Sequence, residues 1–262
     1  MRVLAPGRWL GLLLILALAG FGILGPWLAA TDPARQVLAD SLAPPGTGYW
    51  LGADHLGRSM LARLAHATRL SLLLAAVTVA SAAIPGTLLG ILAACRGGWV
   101  ESGLVLLADA VLALPGLLLV LLLAAFAPGD FLPLYLGLAL AGWVEYFRVA
   151  RAMARGMLAR PHVEAARLLG FGPGYVLWRL LLPGLLPTLG VLAAFGLGNA
   201  VLAISTLSFI GLGIHPPTAE LGSMTTDLLP YAHEAPLMVL MPAALVFVAV
   251  LGCHLLAGRG RA

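Results

Sequence analysis

Lysine is absent from the 262-residue chain; all 15 basic residues are arginines. A GxxxxGK[ST] phosphate loop therefore cannot be built, which excludes a P-loop nucleotidase. Charge of either sign is scarce, at 10% of residues against 61% hydrophobic, and the mean hydropathy is +1.01. Soluble domains carry about 25% charged residues, so this composition excludes one and describes an integral membrane protein. There is no HExxH and no pair of carboxylates inside an apolar run, so neither a zinc site nor an intramembrane aspartic protease has its parts. No internal repeat is visible. The apolar runs are also too long and too uncharged for a membrane barrel, whose strands alternate with period two over about ten residues.

What remains is length and apolarity. A hydrocarbon core of about 30 Å takes about 20 apolar residues per helix, and the chain offers about six such runs: Trp9 to Ala29, Leu70 to Ala94, Val100 to Phe126, Phe131 to Met153, Thr188 to Leu207 and Leu237 to Leu256. The sequence thus predicts an all-α membrane protein, with residues 1–69 forming the first span and an outward surface segment and residues 70–262 a core of five spans. Arginines orient it. With a cytosolic N-terminus, eleven face the cytosol (2, 8, 96, 148, 151, 155, 160, 167, 179, 259 and 261) and four face outward (35, 58, 63 and 69). That asymmetry follows the positive-inside rule, which accounts for the pI of 9.6 without nucleic acid as a partner. An even number of spans returns the C-terminus to the cytosol. The run after Arg8 is longer than the core of a cleaved signal, so it reads as a retained first span. The two cysteines, Cys95 and Cys253, fall near cytosolic span ends and read as small buried apolar residues.

The informative polar stretch is EAARLLGFGPGYVLWRLLLP, Glu164 to Pro183, inside a coupling segment of about 156–183. Pro161 suits a first helical position, and Glu164 then sits in the first turn near the positive dipole end. Gly170 to Gly174, reading GFGPG, stops that helix. A second helix can run from Tyr175 to Leu182. The spacing of Glu164, Ala165, Ala166, Gly170, Leu180, Leu182 and Pro183 resembles the EAA signature of permease subunits in binding-protein-dependent ATP-driven importers. In that family the signature implies a cytosolic helix pair that docks into the ATPase.

A second stretch carries the same resemblance. LGADHLGRSMLARLAHATRLSL, Leu51 to Leu72, is similar to the LGTDxxGRDxxSRLxxGxRxSL segment of the second-type permease of dipeptide, oligopeptide and nickel importers. The match includes Gly52, Asp54, Gly57, Arg58, Arg63 and Arg69 and departs at Ala53, Ser59 and Ala62. By periodicity alone its leucines and arginines predict a short helix at the membrane surface. The run from Arg96 to Glu101 resembles the family's cytosolic GGW turn, and Ser208 to Ile214 with Pro216-Pro217-Thr218 resembles its SFLGLGxxPPT segment. The family's polar, aspartate-containing tail has no counterpart after Leu256, so any function of that tail is expected to be absent or replaced.

Other residues have plainer readings. Asp109, about nine residues into the third span, is an ionisable group at costly depth; it reads first as pairing with a neighbouring helix and second as part of a transport path. His55, His66, His215, His233 and Met224 lie on the outward side without metal-ligand spacing and read as surface or packing residues. Trp9, Trp27, Trp50, Trp99 and Trp143 lie near span ends, where indoles anchor at the interface.

The resemblance implies a type I importer-like permease fold with no catalysis and no cofactor of its own. ATP and magnesium would be bound by partner ATPases. A homologous permease, an extracytoplasmic solute-binding protein and the bilayer complete the partners. Ala67-Thr68-Arg69 and the PTAELG run from Pro217 to Gly222 look closer to nickel-type permeases, so the expected cargo is nickel or another transition metal, as a chelate, with di- or oligopeptides as the alternative. A secondary transporter working without ATP is the alternative class; it would need ion-coupling groups and inverted repeats and gives no reason for the EAA spacing. A membrane scaffold is disfavoured by glycine- and proline-rich spans.

Overall fold

The computed structural model describes residues 6–46, 48–125 and 131–258. They form α1 (Pro6–Ala29), α2 (Met60–Arg96), α3 (Gly98–Leu112), α4 (Gly116–Ala124), α5 (Phe131–Leu158), α6 (Pro161–Leu168), α7 (Pro173–Tyr175), α8 (Leu182–Phe209), α9 (Leu221–Leu228) and α10 (Pro236–Ala257). A π-helical turn, Val176–Leu181, joins α7 to α8, so the helix is continuous from Pro173 to Phe209.

Among the described residues, four helices are long and apolar enough to cross a membrane: α1, α2, the Pro173–Phe209 helix and α10. The third and fourth expected spans take other forms. Val100 to Phe126 is not one rod. It breaks between α3 and α4, because Pro115 has no N–H to donate and its ring biases Leu114 away from helical geometry; Phe126 lies outside the described residues. The fourth, α5, has 28 residues, about 42 Å of helix, and carries Glu145 and Arg148 midway.

Helix α2 begins at Met60, ten residues before the expected span, and the expected surface helix over 51–72 does not form. Residues 51–59 are a non-helical knot capped into α2 by Ser59, whose side chain accepts from the Ala62 N–H. The 69/70 division therefore falls inside a helix.

The core lies where α2 runs along α5. A Cβ on Gly86 would collide with the Trp143 carbonyl oxygen, and one on Gly90 would stand 2.5 Å from that of Phe147. Glycines four apart let two backbones approach, the usual device where lipid offers no hydrophobic drive for association. Trp143 is accordingly a core residue rather than an interface anchor, 8% exposed and tilted against Phe147 with ring centroids 5.6 Å apart. Trp9, Trp27, Trp50 and Trp99 are exposed. Cys253 is buried as read, but Cys95 is exposed. At the far end from the knot, Arg8 Nε donates to the Gly258 carbonyl at 2.8 Å and ties α1 to the end of α10.

Candidate transport and coupling sites

The outward motif is a buried ion-pair knot. Asp54 is fully buried; its Oδ1 accepts the backbone N–H groups of Leu56 (2.9 Å) and Arg58 (2.8 Å), and its Oδ2 accepts Arg58 Nε at 2.6 Å and Arg63 Nη1. Burial by itself would raise the carboxyl's pKa. The Arg58 N–H, the Arg63 charge and the Arg58 guanidinium outweigh it and hold Asp54 below the ordinary carboxylate range. Gly52 and Gly57 make the turns around it with φ of +80° and +70°, and a Cβ on Gly57 would collide with the Val37 carbonyl. Arg63 also faces Asp227 of α9 at 3.5 Å, and His55 stacks on Tyr231 with centroids 5.2 Å apart. The knot is thereby fastened to the segment around α9. Arg69 is not part of it: its side chain is exposed, and its backbone packs against α1 at Gly22.

A second buried carboxylate was not recognised as a site in the sequence. Glu220 is fully buried; Oε2 caps α9 by accepting the N–H groups of Gly222 (2.8 Å) and Ser223 (3.0 Å), while Oε1 accepts Ser71 and Ser205 hydroxyls at 3.2 Å each. One side chain thus joins α2, α8 and α9. Glutamate is not among the favoured N-cap residues, and two of its partners are 149 and 15 residues away, so no local signal marks it.

Within the membrane region, Asp109 pairs with Arg148 of α5 at 2.6 Å. About two turns back along α3, toward the opposite end from the knot, Glu101 receives Arg151 (2.7 Å) and Arg155 (3.0 Å). These pairs are the contacts that hold α3 alongside α5. Elsewhere, α2, α5 and α8 line a half-open cavity of about 270 Å³ that holds Thr78, Glu145, Tyr146 and Asn199 among small and aliphatic residues. Met224, grouped with the histidines by sequence, is fully buried in an apolar cluster with Met60, Leu64 and Leu228.

At the opposite end from the knot, α6 and α7 make an elbow. The Phe171 N–H bonds to the Ala166 carbonyl at 3.1 Å and the Gly170 N–H to that of Arg167 at 3.0 Å, the double closure of a Schellman cap, with Gly170 left-handed at φ +84°. Val163 and Ala166 are buried against the bundle, whereas Glu164, Ala165, Leu168 (83% exposed), Leu169 (77%) and Phe171 face away from it. Phe171 and Tyr175 stack with centroids 4.3 Å apart. The second helix does not stop at Pro183. Leu180 and Leu182 are half-buried and Pro183 is exposed in the first turn of α8. Pro183 cannot donate to Arg179, and the preceding turn widens instead, with the Leu182 N–H reaching the Leu177 carbonyl five residues back.

A helical bundle with an exposed apolar elbow at one end, a charge knot at the other and a half-open cavity between has the parts of a permease component of a transporter driven by a separate subunit. Residues 86–258 match the family described as binding-protein-dependent transport system inner membrane component, and the chain belongs to that family. It is 34% identical to the di/tripeptide transport system permease protein DppC of Pseudomonas aeruginosa, with 94% of this chain and 83% of that protein covered. It is 31% identical to the nickel transport system permease protein NikC of Escherichia coli K12, with 97% and 93% covered, and 32% identical to that organism's probable D,D-dipeptide permease DdpC, with 89% and 78% covered. The chain is thus an inner-membrane, multi-pass permease subunit of an ABC importer. It conducts cargo; ATP hydrolysis belongs to a separate subunit.

Proposed function

We propose that this chain forms half of the conducting path of an importer for short peptides, paired with a homologous permease and served by cytosolic ATPases and an extracytoplasmic binding protein. Both termini and the α6–α7 elbow face the cytosol, and the knot and α9 face outward. Closure of the ATPases on ATP pushes the elbow, and the Pro173–Phe209 helix carries the movement into the bundle as rigid-body alternating access. Glu164, Ala165, Ala166, Gly170, Leu180, Leu182 and Pro183 serve that coupling. The observation that carries the reading is the elbow itself: four large apolar side chains, Leu168, Leu169, Phe171 and Tyr175, exposed around a rigid glycine cap at the EAA position. Such a patch marks a protein contact.

The peptide reading rests on where the metal-leaning residues fall. Ala67 is fully buried, the Thr68 hydroxyl is bonded to the Leu64 carbonyl at 2.8 Å, and the Glu220 carboxylate is occupied by four donors. They serve the fold and leave no group free for a metal. Nickel stays as a second reading on the near-full-length similarity to NikC. The complete transporter in proteoliposomes, supplied with ATP and binding protein, should accumulate a labelled dipeptide; ATP-dependent accumulation of nickel with none of dipeptide would reverse the cargo.

A further inference from the structure

The cavity between α2, α5 and α8 holds polar groups at a depth where they are expensive. Thr78 is the midpoint of α2 and Glu145 sits at the middle of α5. The Thr78 side chain is 4% exposed and its hydroxyl has no hydrogen-bond partner, although a helical threonine could bond the carbonyl a turn back. Glu145 and Asn199 stand at the cavity's open side, and among the described residues no arginine reaches Glu145. The neighbouring Arg148 is held by Asp109. Around them the wall is Ala82, Ala141, Gly142, Gly196, Ala200 and Ala203. Val79 and Leu138 complete the wall, and the small side chains leave the space between them.

A lone carboxylate at mid-membrane must face a cation or water rather than lipid. Its cation is not supplied by the described part of this chain. The donors around the cavity are a carboxylate, an amide, a hydroxyl and a phenol, with no imidazole or thiol in the lining. That set suits a primary ammonium, which donates three hydrogen bonds to oxygen, better than a transition metal, which favours imidazole or sulfur.

The geometry points to a mid-membrane subsite in which Glu145 and Asn199 receive the free ammonium group of the cargo, the N-terminal amine of a short peptide, with Thr78 buried behind them. This rests on the peptide reading above. A charge-assisted contact of this kind has a strength that makes its loss about a ten- to hundredfold change. In the complete transporter, Glu145→Gln should lower dipeptide uptake by that order while the partner subunits still co-purify and loaded binding protein still stimulates ATP hydrolysis. Glu145→Asp should recover part of it. Asn199→Ala separates recognition from packing: a structural role predicts unchanged uptake, since the residue is exposed, whereas the subsite predicts a several-fold fall in uptake. Wild-type uptake in both Glu145→Gln and Asn199→Ala overturns the subsite. Loss of the partner permease from the Glu145→Gln complex also overturns it, by making the carboxylate an assembly contact. A parent transporter that moves nickel and no dipeptide instead defeats the peptide reading, an outcome visible before any variant is made.

Discussion

Asp54→Asn is the smallest change that tests whether the outward knot is held by charge. The substitution keeps the shape and the Oδ1 acceptor for the Leu56 and Arg58 N–H groups, but turns Oδ2 into a neutral amide facing Arg58 Nε and Arg63 Nη1. Arg58 and Arg63 are 2% and 0% exposed, and Arg58 has no other carboxylate in reach among the described residues. Removing one partner of such a buried pair costs about 3–5 kcal/mol, because the remaining charge is left uncompensated. The knot's turns lie outside the helices, with Arg63 reaching in from the first turn of α2, so the cost appears as local opening. Ala53, fully buried in the knot, reports it: with Cys95 and Cys253 replaced by alanine, Ala53→Cys reacts with an impermeant maleimide only when the knot opens. At about 1.4 kcal/mol per tenfold, Asp54→Asn should speed labelling by roughly a hundredfold to a few thousandfold. A triple variant, Asp54→Leu with Arg58→Met and Arg63→Met, should label far more slowly than Asp54→Asn, since an apolar replacement of the whole network removes the stranded charge. An Asp54→Asn rate within about threefold of the parent, less than 1 kcal/mol, would refute the reasoning.

Two further outcomes are expected. Gly170→Val forces a β-branched residue into a left-handed cap at φ +84°, and Glu164→Ala removes an exposed carboxylate from the elbow; together they should abolish ATP-dependent uptake with normal amounts of protein in the membrane, and full uptake would dismiss the elbow as the coupling element. In the same cysteine-free background, Pro45→Cys should react with impermeant maleimide from outside intact cells while Trp99→Cys and Gly172→Cys, all three at exposed positions, stay protected; reaction at position 172 would invert the topology.

What the sequence conveyed depended on how local the physics was. The Gly170 cap was readable because a Schellman closure is decided within six residues. The apolar spans were readable because hydropathy is additive along the chain. Met60 as the start of α2 was not, since hydropathy charges the full penalty for Arg63 and cannot know that Asp54, nine residues earlier and outside the helix, cancels it. Glu220 was hidden for the same reason, and Trp143 was misplaced because it packs against a helix more than 50 residues upstream. The second helix, expected over Tyr175 to Leu182, runs on because a π turn absorbs the donor missing at Pro183. Glu145 was passed over because Asp109 looked like the solitary acid of the spans, and the structure pairs that one with Arg148.

The continuity of the Pro173–Phe209 helix decides how a push at the elbow can reach the cavity. From Tyr175 to Asn199 there is no loop to absorb displacement, only helix, about 36 Å of it at 1.5 Å per residue. A continuous helix transmits translation and tilt, and it yields first where its hydrogen-bond ladder is weakest. Here those places are the π turn at Val176–Leu181 and the prolines at 183 and 187, all near the elbow end. Beyond them the helix is anchored: Ser205 is tied to Glu220, which is also bonded to α2 and α9. The outward end of the helix is therefore pinned and the elbow end is jointed. Under the proposed coupling, a force applied at Leu168 to Tyr175 would swing the segment between, which carries Gly196 and Asn199 along the cavity wall, about a fixed point near Ser205. Access then changes by tilt of α8 against the α2–α5 pair, and that pair, locked at Gly86 and Gly90, is the frame against which it moves.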